Sequence, residues 1–363
     1  MYDAIVVGAR VAGAPTAMLL AQAGRRVLLV DRDTFPSDTM STHLIREEGV
    51  AMLAVWGLLD RVLDTGCPKI LRSARTIMGE PGVEEFEATE VSPGFQLCPR
   101  RTVLDAILVD AAVGAGAEVR QGFSVSELTH DSDGRVTGIV GRDASGETVT
   151  EEARIVIGAD GPHSRIARLV ETESYEEVES LVCGYYSYFS GFPLEQTEFH
   201  LVPGAVVIMF PTNDAQVCVA VERPVSDFPE ARQQVEEAFF SAIQAATPQF
   251  TDALRAAKRE EPFQGAADLP QYFRRPFGAG WALVGDAGAH VDPTLGLGIS
   301  KAFTEAMLLA PAVDAALSGD VSFPEALGVY QQQRDAMWLP WAAQNVGVSR
   351  AIGSGRVPMT SVV

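Results

Sequence analysis

Along this chain, short and fully apolar runs alternate with longer stretches in which apolar residues recur every three or four positions. Residues 4–8, Ala-Ile-Val-Val-Gly, form an apolar β-branched run that stops at a glycine. Such a run predicts a buried parallel strand. Residues 12–23 are rich in Ala, Leu and Met and end at Gly24, which predicts a helix closed by glycine. Residues 26–31, Arg-Val-Leu-Leu-Val-Asp, predict a second buried strand, so the chain opens on a βαβ unit. Similar short runs recur at 154–159 and 281–285, and helices are predicted near 46–64, over 102–113 and 229–246, and near 298–317. Segments 117–121, 123–129 and 135–140 read as strands, the last two joined by the turn Asp131-Ser132-Asp133-Gly134. Residues 71–95 differ: short alternating pieces with Gly79, Pro81, Gly82 and many Glu suggest a hairpin leaving the main body. From about 173 to 225 strands dominate, at 181–190, 196–202, 205–211 and 215–222.

This order predicts an α/β domain assembled from separated segments, 1–70, 96–172 and 263–345. A β-rich domain built from 71–95 and 173–262 is inserted into it, and 346–363 is expected to be a C-terminal tail. The 363 residues suit two domains at roughly 150 residues each. The formal charge of −20 repels phosphate backbones and anionic membranes, so nucleic acid is not an expected partner. The basic residues are almost all arginine; the lysines are Lys69, Lys258 and Lys301. Arginine binds planar anions in bidentate fashion, so its placement in an acidic chain matters. Cys67, Cys98, Cys183 and Cys218 are far apart and do not group with the histidines. No metal site is expected from them, and each reads as a small buried hydrophobe. The start, Met1-Tyr2-Asp3, has no basic leader, and no run is long enough to span a bilayer. A cytoplasmic monomer or homodimer acting on a small molecule is the expectation.

Gly8-Ala9-Arg10-Val11-Ala12-Gly13 lies between the first strand and the first helix. Gly8 permits the tight turn, Gly13 lets the helix approach the strand, and the helix N-terminus offers free N–H groups to a pyrophosphate. Arg10 occupies the place of the middle glycine, so its side chain must turn outward, where it could help neutralise phosphate. Asp31 ends the second strand, where a carboxylate accepts hydrogen bonds from ribose hydroxyls. Candidate cofactor contacts here are Gly8, Arg10, Val11, Ala12, Gly13, Asp31 and Arg32. A second motif runs from Trp281 through Gly285-Asp286 to Pro293, Gly296, Leu297 and Gly298, then into a helix. Asp286 can accept a hydrogen bond from a ribityl or ribose hydroxyl. The glycines leave room for a flat ring, and the following helix N-terminus can stabilise its reduced, anionic form. A third motif, Gly158-Ala159-Asp160-Gly161, follows the strand at 154–159, and Ser164 can cap the next helix.

Together these motifs resemble the FAD-dependent monooxygenases of the para-hydroxybenzoate hydroxylase type and their relatives, the geranylgeranyl reductases. The similarity covers nearly the whole chain. It implies a discontinuous Rossmann-like FAD-binding domain of the glutathione-reductase type with an inserted mixed β-sheet substrate domain. It also implies FAD as cofactor, usually reduced by NAD(P)H. By the same resemblance Asp160 and Gly161 serve FAD and NAD(P)H, Arg46 contacts the pyrophosphate or ribityl chain, and Arg100 and Arg101 lie near the FAD phosphates. Pro293, Gly296, Leu297 and Gly298 border the isoalloxazine.

The reaction implied is hydroxylation or epoxidation of a small or medium apolar metabolite, with reduction of a C=C bond as the alternative. Helix residues Ile299 to Ala306 resemble the reductases, and Glu305-Ala306 stands where hydroxylases usually have Asp-Ala. Halogenation needs a lysine on a path from the flavin, and the halogenase motif Trp-x-Trp-x-Ile-Pro is absent. A non-enzymatic scaffold is the remaining reading. Substrate candidates are Tyr186, Tyr188, Met209 and Phe210. Alternation sets Tyr186 and Tyr188 against Cys183, Tyr185 and Phe189, and leaves open which face lines the pocket.

Overall fold

In a computed structural model that describes residues 1–41 and 43–354, the apolar runs pair as parallel strands. Tyr2–Val7 lies between Val27–Asp31 and Thr148–Gly158, all parallel. Trp281–Leu283 extends the sheet beyond Thr148–Gly158, and Glu118–Gln121 extends it beyond Val27–Asp31, again in parallel. Helices cover this sheet. Ala4, Val6, Leu29, Ile155 and Ile157 are buried with residues of helices Gly13–Gln22, Arg101–Gly114 and Gly298–Ser318. Burial on both faces explains why these strands read as continuous apolar runs rather than alternating ones. The strand Thr148–Gly158 is longer than expected because it serves two neighbours. Its end pairs in parallel with Tyr2–Val7, while its start, Thr148–Glu152, pairs with the antiparallel strand Val136–Arg142.

The second sheet runs in the order Lys258–Arg259, Val182–Ser190, Val217–Pro224, Ala205–Pro211, Thr197–Val202, Arg72–Ile77, Glu80–Glu85. Thus the 71–95 segment does supply a hairpin, and its first strand pairs in parallel with Thr197–Val202. One face of this sheet packs on the helices Val235–Ala246 and Pro248–Ala256 through Cys183, Tyr185, Phe189, Val207 and Met209. The other face, with Tyr186, Tyr188, Ile208 and Phe210, turns toward Leu44, Leu295 and Val348.

Two expectations need correction. The stretch 46–64 is two helices, Glu47–Val55 and Leu59–Leu63, because Gly57 adopts a left-handed φ of 71° between them. Residues 346–354 are not tail. They complete a helix, Phe323–Ser354, whose Val348 and Ile352 are buried against the second sheet; the rest of the expected tail, 355–363, lies outside the described residues. All four cysteines are buried, and burial raises each thiol's pKa, as suits plain packing residues. No helix among the described residues is long and apolar enough to cross a membrane.

The helix Gly298–Ser318 is fixed to the sheet by a buried ion pair. Lys301 Nζ lies 2.8 Å from Glu305 Oε1, and the two side chains are 1% and 0% exposed. Lys301 also donates to the Ala289 carbonyl, while Glu305 Oε2 accepts the Gly285 N–H at 2.7 Å. Breaking such a pair leaves a buried ammonium without its counter-charge, at a cost of about 3–5 kcal/mol. Glu305→Ala is therefore expected to lower unfolding stability by that amount. The double change Lys301→Met with Glu305→Leu should recover most of it, both read from urea unfolding curves.

Candidate active site

Three glycine-bearing turns meet at the carboxyl ends of the parallel strands. Register places Val7 beside Gly158, and Gly158 beside Leu283. The next residues continue the ladder: Gly8 N–H donates to the Val30 carbonyl, Ala159 N–H to Val7 and Val284 N–H to Gly158. Gly8, Ala159-Asp160-Gly161 and Gly285-Asp286 therefore stand side by side. In open α/β sheets this crevice is where ligands bind.

The backbones are too close for side chains. Gly8 has φ +103°, and a Cβ there would lie 2.4 Å from the Ala159 carbonyl oxygen. A Cβ on Gly13 would lie 1.8 Å from the Gly8 oxygen, and one on Gly285 (φ +63°) 2.6 Å from Ala12 Cβ. The helix Gly13–Gln22 begins without a side-chain cap. Ala14 N–H donates to the Arg10 carbonyl, Thr16 N–H to the Ala12 carbonyl and Pro15 has no N–H, which leaves the N–H of Gly13 as the first-turn donor for an anion. At the other end of the site, Gly296 takes φ +64° beneath Leu44, and a Cβ on Gly298 would meet nothing within 4 Å. Gly298 opens the helix Gly298–Ser318, also without a side-chain cap. An anion-accepting helix start at one end and open space over an uncapped helix start at the other fit a dinucleotide carrying a flat ring. Asp286, half-buried, has no side-chain partner among the described residues, which leaves its carboxylate available to a hydroxyl.

The predicted charged residues divide sharply. Arg10 does turn out of the loop, but its guanidinium is taken. It lies 2.7 Å from Asp105 and 2.9 Å from Asp33, and it donates to Ser37. Arg101 makes a bidentate pair with the same buried Asp105, both contacts at 3.0 Å. Arg100 pairs with Glu261 at 2.5 Å, and its guanidinium lies 3.7 Å from the Tyr188 ring centre. Arg10, Arg100 and Arg101, expected near phosphate, thus already have acidic partners: fully buried Asp105 pairs with two of them, and Glu261 with the third. Asp31 accepts the Ala9 N–H at 2.6 Å and the Asp33 N–H at 2.8 Å, so it braces the glycine loop from below. Asp160 caps the helix Arg165–Leu169, accepting from Ser164 and from the N–H groups of Arg165 and Ile166. Arg32 is 81% exposed. Among the described residues Arg46 makes no contact to an acid shorter than 3.8 Å, to Glu48, and has the Trp341 ring beneath it.

A cavity of about 150 Å³ separates the second sheet from the Thr294-Leu295-Gly296 turn. Leu44, Phe199, Leu201, Ile208, Phe210 and Leu295 form its apolar wall. Phe210 thus lines the pocket as expected, whereas Met209 does not: the pleat turns it to the opposite face, buried with Phe239 and Phe240. Tyr186 and Tyr188 are on the pocket side of the sheet but are packed away from the cavity. Tyr188 Oη lies 2.7 Å from His43 Nε2, and Tyr186 donates to Gln264. Burial pushes His43 down to about 3, so its ring is neutral. The sequence offered no signal for His43, whose φ of 63° brings it under this sheet.

Beneath Thr294 sit two carboxylates that sequence reading also missed, Glu222 at 2% exposure and Asp292 at 4%. The Thr294 hydroxyl lies 2.7 Å from Glu222 Oε2 and 3.2 Å from the Ser349 hydroxyl, which lies 2.8 Å from Asp292 Oδ2. The Thr294 hydroxyl can donate to Glu222 and the Ser349 hydroxyl to Asp292. Asp292 already accepts N–H groups of Thr294 and Asn345. Burial first, and then Asp292, push the Glu222 carboxyl up to about 8, which favours its protonated form.

A parallel sheet with a pyrophosphate-type glycine turn, a second glycine turn with room for a flat ring and an apolar cavity beside it is the arrangement of a dinucleotide-binding protein. The chain matches the family described as "FAD binding domain" over residues 1–343 and belongs to it. It is 26% identical over 350 residues to a tryptophan 2-halogenase of Chondromyces crocatus, spanning 93% of this chain and 66% of that protein. A menaquinone reductase of Mycolicibacterium smegmatis is 30% identical over 324 residues, 85% of this chain and 75% of that one. Among solved structures, a myxobacterial chondrochloren halogenase superposes with a TM-score of 0.85 at 23% identity, covering 94% of this chain and 81% of that one. Other relatives carry the names of reductases and monooxygenases. The chain is thus a member of the FAD-dependent oxidoreductases.

The proton on Glu222 gives the site a pH signature. The unfolded chain releases this proton near the ordinary carboxyl value of 4.5, while the folded protein keeps it to about 8. Between those values the folded state binds more protons, so this contribution to stability falls as pH rises. Glu222→Gln, which cannot ionise, should gain stability relative to the parent by several kcal/mol between pH 5 and pH 8.5, measured by urea unfolding at each pH.

Proposed function

We propose that the protein is an FAD-dependent monooxygenase that draws reducing equivalents from NAD(P)H and hydroxylates or epoxidises a small or medium apolar metabolite. The observation that carries this reading is the apolar cavity lying directly against the Thr294-Leu295-Gly296 turn. FAD bound along the crevice would supply electron transfer and oxygen activation. The chain's own residues do the rest. Gly8 and Gly13 bring the first-turn N–H of the first helix to the pyrophosphate, Asp286 accepts from the ribityl chain, and Arg46 remains free to approach the phosphates or ribityl. Leu44, Ile208 and Phe210 keep water away from the reacting atoms, which oxygen transfer requires.

Halogenases are prominent among the relatives, and the halogenating reaction calls for a lysine on the path from the flavin. Here none of the three lysines lines the cavity. Lys69 lies over Phe95, Lys258 pairs with Glu260 at the surface and Lys301 is buried against Glu305. A second reading, reduction of a C=C bond, is favoured by one observation: reduction needs a proton as well as a hydride, and the protonated Glu222 touches Thr294 at the cavity floor.

The purified protein is expected to show, or to acquire on adding FAD, the absorption of a bound flavin; failure to bind FAD would overturn the reading. Gly298→Ala should not lower the unfolding midpoint of the cofactor-free protein, because its Cβ meets no protein atom within 4 Å, yet weaken FAD binding by crowding the ring's space. Single-turnover experiments then separate the two reactions. With flavin reduced anaerobically and candidate substrates present, product should form only after oxygen enters. Product formed before oxygen would instead establish the reductase.

A further inference from the structure

The apolar wall of the cavity has a polar end that neither the fold nor the flavin chemistry requires. Ser73, Arg75, Gln96 and Thr197 all line it. Gln96 and Thr197 are 6% and 5% exposed, and the Thr197 hydroxyl is buried with no hydrogen-bond partner. Arg75 is half-buried and has no carboxylate within 4.0 Å among the described residues, in a chain with 48 acidic residues. The arginines Arg10, Arg100, Arg101 and Arg334 are each committed to acidic partners.

The sheet register explains why these groups converge. Arg72–Ile77 pairs in parallel with Thr197–Val202, so Ser73 stands beside Thr197 and Arg75 beside Phe199. On the other side Arg75 faces Gly82, where a Cβ would sit only 3.1 Å from Arg75 Nε. The glycine lets the guanidinium lie across the hairpin. From this strand to Ala205–Pro211, which carries Ile208 and Phe210, is a step of two strands, roughly 10 Å. A half-buried guanidinium without a partner is unfavourable unless a ligand supplies the anion, and its planar fork matches a carboxylate.

Resting on the flavoprotein reading above for the identity of the cavity, we propose that the substrate is an apolar monocarboxylic acid. Arg75 holds its carboxylate, Thr197 and Gln96 donate to it, and its apolar body lies over Phe199, Ile208 and Phe210. Glu84 also lines the cavity, from an exposed position across from Ser73, so it opposes an anion and sets the limit on how many negative charges the ligand can carry.

Isothermal titration calorimetry with benzoate, 2-naphthoate and decanoate, each against its neutral amide, tests this on the protein with and without FAD. For at least one pair the acid should bind about tenfold or more tighter than the amide. Arg75→Met should abolish that difference while leaving the amide's affinity in place, and Glu84→Gln should tighten the acid. Equal binding of acid and amide in every pair, no binding by any acid, or discrimination that survives Arg75→Met would overturn the proposal. So would a site that takes 2-naphthyl phosphate and refuses 2-naphthoate. Because calorimetry needs no flavin, a protein that fails to bind FAD would sink the flavin reading and still leave the acid–amide comparison to decide this one.

Discussion

Where the strand Tyr2–Val7 turns into the helix Gly13–Gln22, the backbone of Gly8 sits against Ala159 and the backbone of Gly13 against Gly8. Neither position has room for a Cβ. That double approach brings the first helix, the first strand and the end of Thr148–Gly158 to a single point. The ladder bonds of Gly8, Ala159 and Val284 then carry the same level across to Gly285. Gly285 is held in turn by Glu305, whose charge is balanced by Lys301. Side chains separated by hundreds of residues along the chain thus depend on two glycines at its start, and the crevice exists because of what those glycines lack.

Buried charge is the second organising element. A chain with a formal charge of −20 might be expected to keep its acids in solvent, yet Asp105, Glu222, Asp292 and Glu305 are all buried. Each is handled differently. Asp105 has two guanidiniums, Glu305 an ammonium and a backbone N–H, Asp292 two N–H groups and a hydroxyl, and Glu222 a proton. Isolated buried carboxylates are too costly to leave ionised, so burial first, with Asp292 nearby, is what favours the neutral form of Glu222. The same logic makes Arg75 informative, since it is a cation with no carboxylate within 4.0 Å among the described residues.

Sequence alone made the parallel strands legible because both faces are buried, which writes an unbroken apolar run. It made the cofactor turns legible because glycine is the residue that fits a close backbone approach. The helix Phe323–Ser354 was not legible: its buried positions face two different sheets in turn, and Pro340 interrupts it, so no single stripe repeats along it. The fates of the arginines were hidden for another reason. Arg10 meets an acid 95 positions away and Arg100 one 161 positions away, distances over which spacing carries no information. Alternation sorted Tyr186 and Tyr188 onto one face correctly, but whether that face met the cavity depended on a His43 contact from another segment.

The choice between oxygen transfer and hydride transfer turns on what the cavity floor can do with a proton. Thr294 bonds to Glu222 and to Ser349, and beyond Ser349 lies Asp292. A proton leaving Glu222 would place a buried negative charge at one end of a short chain of hydroxyls that has Asp292 at the other, which burial opposes. Release is therefore favourable only if the proton moves to a group made basic within the cavity, or if a cation arrives beside it. An apolar acid bound at Arg75 brings a negative charge into the same cavity and raises the cost further. On this account Glu222 holds its proton through binding and parts with it only when a strongly basic atom develops in the cavity. A carbanion left by hydride addition is such an atom and the neutral product of oxygen transfer is not, so the proposed monooxygenase requires Glu222 to keep its proton through turnover, whereas the reductase alternative would require its release through Thr294.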